Sequence, residues 1–316
     1  MSLVIRKPGI LTTVQDLGRF GSRSLGVNPN GPMDVTAARA INIALGNDEN
    51  AAVLEMHFPA PEIEFSNDTA FCIGGADFAP ELDGKPVPNW TTQVARKDQR
   101  LRFRTRVLGN RSYFAVPGGC SSSEWLGSAS TNLLASVGGN DGRAFESGDT
   151  IDCMSSCLEK TVCIGRSLIP NYSSFPALRV IRGAEFELLT AIGERAFQTE
   201  MFRLTADSNR MGFRLKGESV HLLHPKELVS AATTFGTIQL LPDGQMIILM
   251  ADHQTAGGYP RIGNIISADL PVAGQLGSGD RISFKLVSTI EAETAQLALE
   301  RDLRFFKVGR RLTVGC

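Results

Sequence analysis

Arg281-Ile282-Ser283-Phe284-Lys285-Leu286-Val287 places apolar side chains at every second position, the period of a β-strand with one buried face. Leu101-Arg102-Phe103-Arg104-Thr105-Arg106-Val107 repeats that alternation, and Leu178-Arg179-Val180-Ile181 is a shorter β-branched run. Met246-Ile247-Ile248-Leu249-Met250-Ala251 is continuously apolar but far short of the roughly 18–20 residues of a membrane-spanning helix, so it predicts a buried strand. Helical signals are few. Residues 34–45 have Pro32 before them and Gly46-Asn47 as a stop, 130–137 end at Gly138-Gly139, and 290–306 keep Ile290, Ala295, Ala298, Leu299 and Phe306 near helical spacing. Many short strands, few short helices, and 32 Gly and 15 Pro as punctuation predict a mainly β chain built from barrels or sandwiches.

The chain has 316 residues, enough for two domains at about 150 residues each. Ser147-Gly148-Asp149-Thr150-Ile151 and Ser278-Gly279-Asp280-Arg281-Ile282 share a turn-then-strand pattern, each late in its half, as expected of two related halves. Pro170, Asn171, Ser173, Ser174 and Pro176 interrupt the apolar pattern, which sets the expected domains at 1–170 and 171–316, with a helix closing the second.

Hydrophobic residues are 42% and charged residues 21% of the chain, which excludes disorder, collagen-like fibre and a disulfide scaffold. With 32 Lys plus Arg against 33 Asp plus Glu, the net charge of −1 steers the chain toward neither nucleic acid nor an anionic membrane, leaving a small substrate or a protein as partner. The N-terminus shows no signal-peptide pattern, so the expected location is cytoplasmic, where the 6 cysteines stay thiols.

Asp252-His253-Gln254-Thr255-Ala256-Gly257-Gly258-Tyr259-Pro260 is the densest polar segment and follows directly on the apolar strand at 246–251. A rigid strand end can hold an acid, an amide, a hydroxyl and a phenol in fixed geometry, although a polar hairpin satisfying its own backbone reads the same way. Asp34, after Gly31-Pro32-Met33, is either a general base or simply a helix N-cap. Arg210, in Ser208-Asn209-Arg210-Met211-Gly212, either clamps a carboxylate bidentately or is an idle turn arginine. Gly74-Gly75, Gly118-Gly119, Gly138-Gly139 and Gly257-Gly258 suit anion-binding backbone as well as tight turns. No Gly-x-x-x-x-Gly-Lys-Ser/Thr or Gly-x-Gly-x-x-Gly signature occurs, so no ATP or dinucleotide site is recognised in this chain. His221 and His224 lack a third ligand, and Cys153, Cys157 and Cys163 form no Cys-x-x-Cys pair and read as packed thiols; no bound metal is expected. Arg100, Arg102, Arg104 and Arg106 fall on one face of a strand, either solvated or docking an acidic partner.

Thr12-Thr13-Val14-Gln15-Asp16-Leu17-Gly18-Arg19, Gly31-Pro32-Met33-Asp34, Asn209-Arg210-Met211-Gly212-Phe213-Arg214-Leu215-Lys216-Gly217 and the 252–260 segment together resemble the biotin-dependent carboxyltransferase family, also called the allophanate hydrolase subunit 2 family. The resemblance spans nearly the whole chain. It implies two cyclophilin-like β-barrel domains and a partner resembling allophanate hydrolase subunit 1 or the B subunit of 5-oxoprolinase. Members of the family include the C subunit of ATP-dependent 5-oxoprolinase, whose complex opens 5-oxoproline to glutamate, and the carboxyltransferase region of urea carboxylase, which moves a carboxyl group from carboxybiotin to an amide acceptor. The first of these activities is the one expected here, with carboxyl transfer and regulation by binding a B-type partner as alternatives. ATP, or biotin in the carboxyl-transfer reading, would come with other chains, because this one has neither a biotin-carrier Met-Lys-Met segment nor a carboxylase ATP module.

The resemblance marks Asp34, Arg210, Asp252 and Tyr259 as expected catalytic residues, and Gln254, Thr255, Gly257, Gly258, Gln239 and Gln275 as expected substrate-binding residues. A carboxylate would orient or deprotonate an amide nitrogen, Arg210 would hold a substrate carboxylate, and the Gly257-Gly258 amides would stabilise oxyanion charge. The chain departs from the usual family pattern where His253 and Ala129 stand in place of the usual arginines, where Ala256 replaces a threonine, and where Cys120-Ser121-Ser122-Ser123 follows Gly118-Gly119.

Overall fold

A computed structural model describes residues 2–153, 160–224 and 228–314; Cys157 and Cys316 lie outside them. The chain forms two compact units, one of Met1–Arg19, Asn30–Asn171 and Glu300–Cys316, the other of Phe20–Pro29 and Tyr172–Leu299. Both are mainly β, and the described residues contain four α-helices.

In the first unit the strands form two sheets, one in the order Thr150–Asp152, Ser2–Lys7, Glu62–Phe65, Arg100–Phe103, Pro80–Leu82, Lys85–Pro86, the other in the order Thr12–Gln15, Val53–His57, Leu108–Ala115, Thr69–Asp77, Gln93–Ala95. Alternate residues of both sheets meet in one core, with Leu3, Ile5, Ile63 and Leu101 from the first and Val14, Leu54, Phe71 and Phe114 from the second. Phe71 stacks on Phe114 at 5.7 Å between ring centroids. Helix α1, Val35–Leu45, starts where the Asp34 carboxylate accepts from the Ala37 amide and stops at Gly46, whose amide donates to the Asn42 and Ile43 carbonyls. It packs on Thr69–Asp77 so closely that a Cβ on Gly74 would lie 2.6 Å from Ile41 Cγ2. Close approach, rather than anion binding, therefore accounts for that glycine.

The second unit is a closed barrel of seven strands in the order Ala177–Arg182, Arg261–Ile265, Thr237–Leu240, Met246–Leu249, Gly212–Lys216, Phe202–Leu204 and Arg281–Leu286. The ring closes where the last strand pairs in parallel with the first, Leu178 opposite Phe284. Leu178, Ile238, Ile248, Phe213 and Phe284 fill its interior. Helix α2, Ala191–Thr199, seats Phe197 face to face on Phe284, 4.7 Å between centroids. Gly193 breaks the apolar period of this helix in the sequence, which left it unpredicted. Helix α3, Leu270–Ala273, is a single turn, and α4, Thr289–Val314, runs 26 residues, eight beyond the predicted end at 306. Neither it nor any other described helix is long and apolar enough to cross a membrane.

The internal repeat has a structural counterpart: in one copy the Glu146 amide donates to Asp149 Oδ2 at 2.8 Å, in the other the Gly277 amide donates to Asp280 Oδ2 at 2.8 Å. Residues from Glu300 onward, which a division at 170/171 gives to the second domain, bond within the first unit, where Glu300 takes both arms of Arg39 at 2.7 and 2.8 Å and Lys307 reaches Glu49 at 2.7 Å. Phe20–Pro29 likewise bonds within the second unit, through Arg23 to the Thr233 carbonyl and Asn28 to the Asp252 carbonyl.

Other expectations are corrected. Residues 130–137 are not helical: the Asn132 side chain accepts from the Leu134 and Ala135 amides, closing a turn between the bridged residues Asn132 and Val137. The strand expected at 101–107 ends at Phe103, where the Arg104 amide turns to the Phe78 carbonyl. The arginine comb is answered within the chain, Arg100 by Glu64, Arg102 by Glu62, Arg104 by Glu81 and Arg106 by Asn110, so it needs no acidic partner. Cys163, read as packed, is exposed, whereas Cys72, Cys120 and Cys153 are buried, and burial pushes the Cys120 thiol up to about 12.

Candidate active site

The barrel strand Met246–Leu249 delivers the chain into the 252–260 loop. Asp252 receives Nε and Nη2 of Arg210 at 2.8 and 2.9 Å, and its amide donates to the Arg210 carbonyl at 2.8 Å. His253 is buried, with Nδ1 2.6 Å from the Gln254 carbonyl oxygen; burial lowers its pKa below 6.5, and Arg23 adds to the effect. Thr233 Oγ1 donates to the same carbonyl at 2.6 Å, and Ala256–Gly257 pairs with Ala231–Ala232 as a short ribbon. The loop is thus clamped at both ends. Between the clamps Gln254, Gly258 and Tyr259 are exposed, and Thr255 is half-buried.

Beside it opens a cavity of about 530 Å³, whose polar lining comes from Asp207, Asn209, Arg214, Gln239, Asp243, Gln254 and Tyr259. Gln239 is buried on the strand Thr237–Leu240, and its Nε2 lies 3.4 Å from the Tyr259 carbonyl. A Cβ on Gly257 would stand 2.6 Å from Gln239 Nε2 and 2.8 Å from Gln254 Nε2. Only glycine there lets both carboxamides converge. Each of them offers an N–H donor and a carbonyl acceptor, the complement of an amide. A second cavity, about 510 Å³, shares Leu241, Pro242 and Tyr259 with the first and is mostly apolar, with Val220, Leu222, Leu228 and Leu240 in its wall.

Of the residues singled out in the sequence, Gln239, Gln254 and Tyr259 line the polar cavity and Gly257 packs on the two carboxamides, while Thr255 sits within the loop and Gly258 lines the apolar cavity. Arg210 and Asp252 form the strut behind them. Gln275 is buried after α3, its amide bonded to the Val272 carbonyl, and lines neither cavity. Asp34 belongs to the first unit, wholly buried as the cap of α1; its amide donates to the Tyr113 hydroxyl at 2.8 Å, and that hydroxyl donates to Glu55 Oε2 at 2.7 Å. Burial and the facing Glu55 and Asp34 carboxylates raise the Tyr113 pKa, so the phenol stays protonated. Asp207 and Asp243 were missed because each lies in an ordinary polar turn, and Arg214 because it was read only as part of a strand. The single sequence sign of the Glu55 network is one acid inside the apolar run of Val53–His57.

This fold and site define a class. The family described as "Carboxyltransferase domain, subdomain A and B" matches residues 25–286, and the chain belongs to it. Within the family, the chain is 38% identical over 299 residues to the C subunit of 5-oxoprolinase from Haemophilus influenzae, covering 94% of both chains. It is 35% identical over 299 residues to the C subunit of 5-oxoprolinase from Escherichia coli, covering 95% of this chain and 96% of that one. Urea amidolyase of Saccharomyces cerevisiae is 30% identical over 304 residues, which are 90% of this chain but 16% of that protein. The crystal structure of the K. lactis urea amidolyase matches with a TM-score of 0.90 and 26% identity over 96% of this chain, which spans a fifth (20%) of that chain.

Proposed function

We propose that this chain is the C subunit of a 5-oxoprolinase, working with a partner of the B type to open the lactam of 5-oxoproline to glutamate at the expense of ATP. The observation that carries this reading is end-to-end correspondence with two 5-oxoprolinase C subunits, each covered to 94% or more. The polar cavity suits the substrate. The Gln239 and Gln254 carboxamides pair with the lactam N–H and C=O, Arg214 takes the carboxylate, and Tyr259 closes the rim. Ring opening breaks the lactam C–N bond, with water adding its hydroxyl to carbon and a proton to nitrogen. Asp207 or Asp243 accepts the proton from water. Arg210 acts as a positioning residue through Asp252 in this scheme, and Asp34 holds the 31–34 turn.

ATP does not fit this cavity, whose lining sets two aspartates against a single arginine and includes no glycine-rich cradle. In this reading its site lies on another subunit. One observation favours carboxyl transfer as a second reading, the structural match of 96% of this chain to a fifth (20%) of urea amidolyase. There the two carboxamides would hold the ureido ring of biotin, which carries the carboxyl group. The experiment is glutamate release from 5-oxoproline and ATP by this chain with its B-type partner, against carboxylation of urea in the presence of carboxybiotin; turnover of one and not the other decides between the readings.

A further inference from the structure

Between the strands Leu108–Ala115 and Thr150–Asp152 of the first unit, residues 116–149 form neither helix nor strand beyond isolated bridges. Stretches of that length are uncommon inside a compact unit, because each ordered residue costs backbone entropy that no ladder of hydrogen bonds offsets. This one runs from an inner strand of one sheet to an edge strand of the other. On the way it covers the edge strand Thr12–Gln15 and the residue after it. The Thr131 and Phe145 amides donate to the Val14 and Thr12 carbonyls at 3.0 Å, and the Ser130 hydroxyl donates to Asp16 Oδ1 at 2.6 Å.

The two ends of this excursion meet at its base, where the Ser121 amide donates to the Asp152 carbonyl at 2.9 Å. Ser121 and Asp152 are exposed, whereas the residues beside them, Cys120 and Cys153, are 4% and 9% exposed and belong to one apolar core. Side chains alternate along extended segments, so both thiols turn from the bonded pair toward the same inner face. Facing residues in such a pairing have Cβ atoms about 4.5–5.5 Å apart, and a disulfide needs about 3.5–4.5 Å, so closing the bond takes a shift of about 1 Å. Charge on Cys153 raises the Cys120 pKa beyond the effect of burial, as neighbouring sulfurs require. Cys163 and Cys72 are placed differently, the first bridged to Thr91 and the second inside the strand Thr69–Asp77.

We propose that Cys120 and Cys153 are a reversible disulfide site, a staple across the base of the 116–149 excursion that hydrogen peroxide closes and a small thiol reopens. Cys153, the more exposed of the two, reacts first. Its sulfur takes one oxygen of the peroxide as the O–O bond breaks, giving a sulfenic acid and one water. The Cys120 sulfur then displaces that oxygen: S–S forms, S–O breaks, and hydroxide leaves with the Cys120 proton as a second water. Together the two sulfurs give up two electrons, both taken by the peroxide. The bond limits how far the ends of the excursion can part, so the amides between them open less often. The inference is read from the first unit alone and does not depend on the activity proposed above.

Treating the full chain with hydrogen peroxide and mapping its peptides without reductant tests it. The peptide holding Cys120 is expected to be joined to the one holding Cys153, and dithiothreitol to part them. Cys157→Ser, which removes the cysteine nearest to Cys153 in sequence, is expected to keep the bond, whereas Cys120→Ser and Cys153→Ser lose it. Hydrogen exchange at residues 121–149 is expected to slow at least about threefold on oxidation and to recover on reduction. Cys120 and Cys153 that stay thiols, or that pass to sulfinic acid without joining, overturn the inference. So does a bond from either of them to another cysteine, or exchange at 121–149 that oxidation leaves unchanged.

Discussion

Arg210 and Asp252 meet through two parallel charge-assisted hydrogen bonds at 2.8 and 2.9 Å, with 7% of the arginine and 15% of the aspartate side chain exposed. The pair ties the 208–212 turn to the start of the 252–260 loop, so both walls of the polar cavity depend on it. Removing one partner strands the other charge out of water, which typically costs about 3–5 kcal/mol. Arg210→Ala is expected to lower the urea midpoint accordingly. Arg210→Lys, which keeps the charge and loses the fork, is expected to recover only part of it. A midpoint unchanged by Arg210→Ala would contradict the strut.

Gly257→Ala tests the convergence of the two carboxamides. The added methyl must displace Gln239 and Gln254, the far ends of flexible side chains, so stability is expected to change by less than about 1 kcal/mol. Turnover of the complex is expected to fall at least about tenfold, roughly 1.4 kcal/mol of transition-state stabilisation. Gln239→Leu should match that loss, and full activity in both variants would remove the cavity from the account.

The Tyr113 hydroxyl accepts from the Asp34 amide and donates to Glu55 with all three residues buried. Tyr113→Phe removes both of these buried hydrogen bonds, a loss of about 1–3 kcal/mol by urea unfolding. Oxoprolinase activity measured below the new midpoint is expected to be unchanged, because the network supports the start of α1 rather than the cavity.

His253 sets a pH dependence whose sign follows from its lowered pKa. The unfolded chain takes up a proton as pH drops below about 6.5, whereas the folded chain resists it, so stability present at neutral pH is lost as pH falls through 6.5 toward the lower folded value. Between pH 7.5 and 5.5 the wild-type urea midpoint is expected to drop further than that of His253→Gln. Equal drops would place His253 in water.

Much of the barrel was legible because its physics is local. Ile282 and Phe284 are buried and Arg281 and Lys285 exposed, as the period of two demands. The α1 boundaries were legible for the same reason, the Asp34 carboxylate accepting from the Ala37 amide and the Gly46 amide donating to the Asn42 and Ile43 carbonyls. Residues 130–137 misled because the Asn132 side chain outcompetes the helix for the Leu134 and Ala135 amides, a preference invisible to apolar spacing. The site was legible only where a motif concentrated it. Gln254 and Tyr259 sit in the 252–260 segment, but Asp207 and Asp243 come from separate turns that barrel register alone brings to one cavity. The arginine comb was visible as a pattern, yet its partners Glu62, Glu64 and Glu81 lie on other strands, so its self-neutralisation was not.

The most direct test of the central claim is glutamate release from 5-oxoproline and ATP by the reconstituted complex, measured with this chain, without it, and with Gly257→Ala in its place. The account predicts turnover only when the unsubstituted chain is present, with the glycine variant assembling normally but turning over at least about tenfold more slowly. Equal turnover with and without this chain, or a fully active Gly257→Ala complex, would contradict it.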